Sequence, residues 1–161
     1  MIDVSELEQF VRACEAASAD FKPYMGRTLE EIGEKFLDIV QGAIESAGNV
    51  DTKTLLSSFT KGGAGNIWQL NTGGLTLTIG TNVRYAKWVN DGHRQQPGRF
   101  IPGYWQGSHF RYVPGAKSGM VLKASFVPGS HFFDTSIQTL KKMLPEMEEK
   151  ALQNFFHRYF P

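Results

Sequence analysis

The chain has 161 residues, 20% of them charged, with a formal net charge of +1 at pH 7. That length suits a single domain with a proper core and is short for two. Neither half reads as strongly basic, so a dedicated grip on nucleic-acid phosphates, which needs concentrated Lys and Arg, is not expected.

In chain order, the N-terminal third reads as helical. Ser5 and Glu8 fit a capping box, and Leu7, Phe10, Val11 and Cys14 follow at helical spacing. Pro23 and Gly26 interrupt the pattern. Thr28 and Glu31 form a second capping box, and Leu29, Ile32, Phe36, Val40 and Ile44 make a second stripe that stops at Gly48-Asn49. The expectation over 1–48 is a hairpin or bent pair of helices. Asp51-Thr52 offers an N-cap for a short helix through Leu55 and Leu56. Ile67 to Asn71 and the alternating Leu75 to Ile79, joined through Gly73-Gly74, predict a hairpin. Tyr85, Trp88 and Val89 suit a short helix packed under the sheet.

Residues 95–119, QQPGRFIPGYWQGSHFRYVPGAKSG, have no helical period. The pieces Arg99 to Tyr104 and Phe110 to Val113 read as arms of a long hairpin or as a tongue. A stretch of about twenty-five such residues is uncommon in a compact domain unless it has a job, and its aromatic content argues for order gained on a neighbouring subunit. Met120 to Val127 reads as one strand with Met120, Leu122, Ala124 and Phe126 on one face. A long helix over 130–159 follows, striped by Phe133, Ile137, Leu140, Leu144, Met147, Ala151 and Phe155, with Pro145 expected to kink or divide it.

No catalytic set converges. His93, His109, His131 and His157 lack the i,i+4 spacing of a helical zinc site, and Cys14, the single cysteine, excludes an internal disulfide and a cysteine-built zinc cage. A lone cysteine also fits a reducing cytoplasm. There is no GxSxG elbow, and Gly62-Gly63-Ala64-Gly65 lacks the Lys-Ser/Thr of a phosphate-binding loop. Asp51 and Asp91 read as a cap and a turn. The apolar runs are far short of a membrane span, and the N-terminus MIDVSELEQF lacks the regions of a secretory signal.

Aromatic residues are abundant, with 12 Phe, 5 Tyr and 3 Trp, more than so small an interior takes in. The residues expected at a partner or oligomer interface are Arg84, Tyr85, Trp88, His93, Arg94, Arg99, Phe100, Tyr104, Trp105, Phe110, Arg111 and Tyr112. Such interleaved basic and aromatic side chains also suit stacking on single-stranded nucleic acid, but Tyr, Trp and Arg are equally the residues enriched in protein–protein contacts.

Three motifs in order resemble the gp10-like family of head-to-tail joining proteins of tailed phages, named after the one in phage HK97. They are Val50 to Phe59 (VDTKTLLSSF), Val83 to Arg94 (VRYAKWVNDGHR) and Phe126 to Phe133 (FVPGSHFF). Lys53 stands where the family usually has Gly, and Asn90 where it often has Glu; the long tongue is similar to versions in prophage elements of Gram-positive bacteria, including tailocin-like particles with contractile tails. The resemblance implies a non-enzymatic virion protein of the neck without cofactor or metal, most simply a tail-completion protein, assembled in the host cytoplasm. It implies a ring of copies of itself, expected to be a hexamer, that meets the head-closure or connector protein and the tail terminator, tube or sheath. No membrane and no specific nucleic acid are expected as partners, although DNA would pass through the ring lumen. A DNA-contacting module near the portal, a metal-dependent hydrolase, and a terminator or head-closure role in the same neck are the alternatives.

The fold expected is α+β: a single domain over 1–161, with an antiparallel sheet of about four strands against N-terminal helices and a long C-terminal helix, and an aromatic loop or β-hairpin tongue.

Overall fold

A computed structural model describes residues 4–48 and 53–161. It is an α+β protein with the element order expected, a helical N-terminus, antiparallel strands and a long C-terminal helix. The described residues form two compact units. One comprises the chain up to Ala86 together with Phe132–Pro161, and the other comprises Lys87–His131.

In the first unit, α1 (Val4–Ser46) and α4 (Phe132–Tyr159) pack against each other. The predicted pair of N-terminal helices is instead one helix that runs through Pro23. An interior proline costs a helix about 3 kcal/mol, and packing against α4 at this point opposes that cost. Tyr24 Oη donates to the Ala151 carbonyl at 3.0 Å, and the Phe155 ring lies 5.5 Å from Phe21 and 5.0 Å from Tyr24. Thr28 is therefore no cap: it is buried, and its hydroxyl donates back to the Tyr24 carbonyl at 3.3 Å. The second predicted stripe is the core face, with Phe36, Val40 and Ile44 all buried. The first is not: Leu7, Phe10, Val11 and Cys14 are exposed.

The short helix, α2 (Thr54–Ser57), forms as expected. The cap assigned to Asp51-Thr52 lies outside the described residues. Lys53 occupies the N-cap position of α2 with φ 58° and makes no side-chain capping bond. Phe59, just beyond, is fully buried, with its ring 5.9 Å from those of both Phe132 and Phe133. Two buried hydroxyls here are satisfied: Ser58 donates to the Leu55 carbonyl at 2.7 Å and accepts from Thr81 at 2.8 Å, while Ser136 donates to the Phe132 carbonyl at 2.7 Å. The Gly62 to Gly65 run forms successive turns that lead into the hairpin of β1 (Asn66–Asn71) and β2 (Thr76–Thr81). Leu70 stands opposite Leu77, and Trp68 opposite Ile79. Side chains of this face lie against α1 at Gly33, where any Cβ would run into Leu77 and the Trp68 ring edge.

α4 is continuous across Pro145. Its stripe from Phe133 to Phe155 is buried or half-buried at every predicted position, which bears out that periodicity.

The single sheet of about four strands expected for the whole chain is replaced by smaller ones, two of which lie in the second unit. α3 (Ala86–Asp91) leads into β3 (Gly92–Arg94), which pairs with β7 (Phe126–Pro128). β4 (Phe100–Gln106) lies between β5 (His109–Tyr112) and β6 (Gly119–Val121). With the β1–β2 hairpin, the described residues therefore hold three sheets of two, two and three strands. The predicted strand Met120 to Val127 breaks into β6 and β7. Met120 and Leu122 are half-buried as expected, but after the break the phase inverts, and Phe126 points out while Val127 points in. α3 forms, but Trp88 is 59% exposed, so the expectation that this helix packs under a sheet is wrong for its largest side chain.

Candidate interaction surface

The second and third sequence motifs meet in the β3–β7 ladder. Gly92 stands opposite Pro128, His93 opposite Val127, and Arg94 opposite Phe126. The amides of Ser130 and His131 donate to the carbonyls of Val89 and Asn90, both at 2.9 Å. The two glycines of these motifs are fixed by close approach. Gly92 has φ 80°, and a Cβ there would lie 2.5 Å from the Val127 carbonyl oxygen; one on Gly129 would strike the Asn90 carbonyl. The Asn90 side chain turns to its neighbour and donates to Asp91 Oδ1 at 2.7 Å.

From this ladder the two arms continue side by side. Gln95 N–H donates to Ser125, Gly98 N–H to Leu122, Leu122 N–H to Arg99 and Gly103 N–H to Ser118, all through main-chain carbonyls at 2.8 to 2.9 Å. Gly107, with φ 62°, opens the tight turn between β4 and β5, where Gly followed by another residue fits a type II′ hairpin. Of the two readings given for residues 95–119, the hairpin is the one that forms.

The register assigns the side chains to faces. Phe100, Tyr104, Arg111 and Val121 share one face; Ile101, Trp105, Phe110, Tyr112 and Met120 share the other. Arg111 Nε donates to Gln106 Oε1 at 3.1 Å on the first face. On the second, Trp105 and Phe110 are edge to face at 5.3 Å, and the Phe110 ring covers the space a Cβ at Gly103 would need. Large apolar groups nonetheless stay open on both faces: Phe100, Tyr104 and Val121 on one, Trp105 at 58% and Tyr112 at 64% on the other. So much exposed ring area on both sides of one small sheet is more than scattered surface apolar residues account for.

Of the predicted interface residues, Trp88, His93, Arg94, Arg99, Phe100, Tyr104, Trp105, Phe110, Arg111 and Tyr112 fall in this unit, and Arg84 and Tyr85 precede it in the first. Trp88 and His93 are neighbours, with ring centroids 6.3 Å apart. Phe110 is half-buried rather than exposed. Two features escaped the sequence reading. One is the pair Val121 and Phe126, both exposed, the second because the predicted strand breaks before it. The other is charge: Lys87–His131 holds six Lys and Arg and one acidic residue, Asp91. The near-neutral total hides this segregation, which corrects the reading that neither half is strongly basic. The signal was visible as a run from Gly92 to Phe133 without Asp or Glu.

Arg94, Gln95, Pro97, Ala124, Ser125 and Phe126 line a hollow of about 460 Å³ in this unit. It presents one cation and one hydroxyl, with no paired acid and base. Among the described residues no group of three or more His, Cys, Asp or Glu is placed to hold a metal ion, and no helix is long and apolar enough to cross a membrane.

The distinctive surface of this α+β chain is an exposed aromatic sheet, in a unit whose net charge is positive. Residues 8–92 match the HK97-gp10-like family, described as a bacteriophage HK97-gp10 tail component, and the chain belongs to that family of phage structural proteins. It is 40% identical over 146 residues to the phage-like element PBSX protein XkdI of Bacillus subtilis (strain 168), covering 89% of this chain and 91% of that one. It is also 40% identical over 162 residues to YqbI of the same strain, covering 96% and 97%. No solved structure matches. The family match ends at Gly92, before the aromatic hairpin, whereas both relatives align well beyond it.

Proposed function

We propose that this protein is a neck component of a phage or phage-like particle encoded by a prophage. It forms a ring at the head-proximal end of the tail and joins the tail to the head connector as a tail-completion protein. The observation that carries this reading is the sheet β5-β4-β6, which leaves Trp105, Tyr112, Phe100 and Tyr104 open to solvent in a member of a tail-component family. Rings of this kind arise when two different patches on identical subunits meet head to tail and the rotation closes. The aromatic and Arg side chains of the second unit are the material from which such contacts are made. The relative named as a phage-like element protein supports a prophage setting. The ring is expected to be a hexamer of copies of this chain, located in the virion neck. It meets the head-closure protein on one side and the terminator, tube or sheath on the other, with DNA passing through the lumen. No catalytic step belongs to this role.

The test is assembly. The purified chain, followed by light scattering, is expected to form a closed oligomer, and a Trp105→Ala/Tyr112→Ala variant is expected to stay folded by circular dichroism yet remain monomeric and fail to join tails. A double variant that assembles and joins tails normally would overturn the proposal. The segregated positive charge favours a second reading, in which this unit contacts DNA. That reading requires binding to DNA that weakens steeply with salt.

A further inference from the structure

The first unit contains an open strand edge beside an apolar trough. Among the described residues β2 pairs with β1 and with no other strand. The Asn82 N–H donates to the Gly65 carbonyl at 2.7 Å, and in an antiparallel ladder such bonded pairs alternate with non-bonded ones. Thr78 and Gly80 therefore turn their amides to β1, while Leu77 and Ile79 turn theirs to the free edge. On the same side of β2 lies a trough of about 390 Å³ lined by Ile32 and Phe36 of α1 and by Ile137 and Leu140 of α4. Leu77 and Ile79 themselves line it, and Glu148 is the charged residue of the lining. A strand laid along β2 would gain main-chain hydrogen bonds from the edge and drop every second side chain into the trough, the arrangement by which extended segments augment a sheet.

The second unit offers such a strand. β5 lies at the edge of its sheet. It alternates aromatic with polar, so that Phe110 and Tyr112 share one face with the exposed Trp105, while His109 and Arg111 share the other. Tyr112 combines a large apolar ring with a phenolic tip suited to a carboxylate such as that of Glu148. Charge complements shape. The second unit has six Lys and Arg against Asp91 alone, net +5, and the first has eleven against fifteen Asp and Glu, net −4. Attraction therefore favours the second unit of one copy meeting the first unit of another.

We propose that β5 of one copy adds to the free edge of β2 in the next, seating Phe110 and Tyr112 in the trough between β2 and α4. Donor and acceptor are different surfaces, so the contact is head to tail and propagates around a ring. This inference rests on the ring reading above and names the contact that builds the ring.

Cysteine cross-linking in particles tests it. In a Cys14→Ser background, Thr76→Cys or Thr78→Cys on the outer face of β2 is combined with Arg111→Cys on the matching face of β5. All three positions point away from the trough, so folding is expected to be unaffected and is checked by circular dichroism. Oxidation is expected to yield a ladder of covalent multimers up to the ring size, while each single variant yields no species above a dimer. An assembled ring without a ladder from either pair would overturn the β5–β2 contact and leave the ring standing. A chain that stays monomeric and is absent from particles, or that acts instead as a monomer bound to DNA oligonucleotides, would overturn both.

Discussion

His93 and Val127 face each other across the β3–β7 ladder, and through that pair two sequence motifs distant along the chain become one structure. The ladder explains why both motifs contain glycine: Gly92 has φ 80°, with the Val127 carbonyl oxygen 2.5 Å from where a Cβ would sit. Gly92→Ala is expected to cost about 1–2 kcal/mol for the left-handed backbone alone, and more from the contact with main-chain atoms. Hydrogen exchange should show faster opening across residues 87–131 than across the α1–α4 pair.

Lys53 has φ 58° at the start of α2, a conformation that glycine adopts without steric cost. Lys53→Gly is expected to stabilise the chain by about 0.5–1 kcal/mol, the left-handed strain relieved less the extra freedom of glycine in the unfolded chain. Urea unfolding would show a higher midpoint at unchanged slope.

Phe59, fully buried just beyond α2, sets its ring against Phe132 and Phe133 at the start of α4, and its carbonyl accepts from Gln41 of α1 at 2.9 Å. Truncation to alanine removes this packing and leaves a cavity. Phe59→Ala is expected to cost about 3–5 kcal/mol, read from denaturant unfolding of the full chain.

The phenol of Tyr159 donates to Asp20 Oδ2 at 2.7 Å and ties the last turn of α4 to α1. The hydrogen bond to Asp20 raises the Tyr159 pKa above its usual 10.0, with burial adding in the same direction. A group whose folded pKa is raised stabilises the fold fully below its unfolded pKa, and that contribution disappears as pH climbs through the folded value. The thermal unfolding midpoint is therefore expected to fall above about pH 10, and less steeply for Tyr159→Phe than for the unaltered chain. Lys61, raised chiefly by its hydrogen bond to Glu34, loses stabilisation in the same alkaline direction, so the difference between the two proteins isolates Tyr159.

What the sequence made legible were the elements whose side chains repeat. The α4 stripe, the second half of α1 and the β1–β2 hairpin follow from spacing alone, because one face of each meets the core. What it concealed were matters of context. Pro23 reads as a break, yet Tyr24 and Phe155 pack where the helix would part. Leu7, Phe10 and Val11 repeat as core residues do but stay exposed, although the Phe10 ring lies 5.9 Å from that of Phe160, since periodicity reports an apolar face and not what covers it. The strand after Met120 looks continuous because apolar residues alternate through it; the break shows only in the pairing of β6 with β4 and β7 with β3. At the candidate surface the residue types were legible and their division between two faces was not, since that division depends on the register of β4 with both neighbours.

Under the proposed function, the aromatic sheet of residues 100–121 is covered by neighbouring subunits in a ring at the top of the tail. A cryo-electron map of the assembled particle tests it most directly. The expected map has copies of this chain in a closed ring at the head-proximal end of the tail, with Trp105 and Tyr112 buried against neighbouring subunits. A map that places the chain elsewhere in the tail, or leaves both rings bare to solvent in the finished neck, would contradict it.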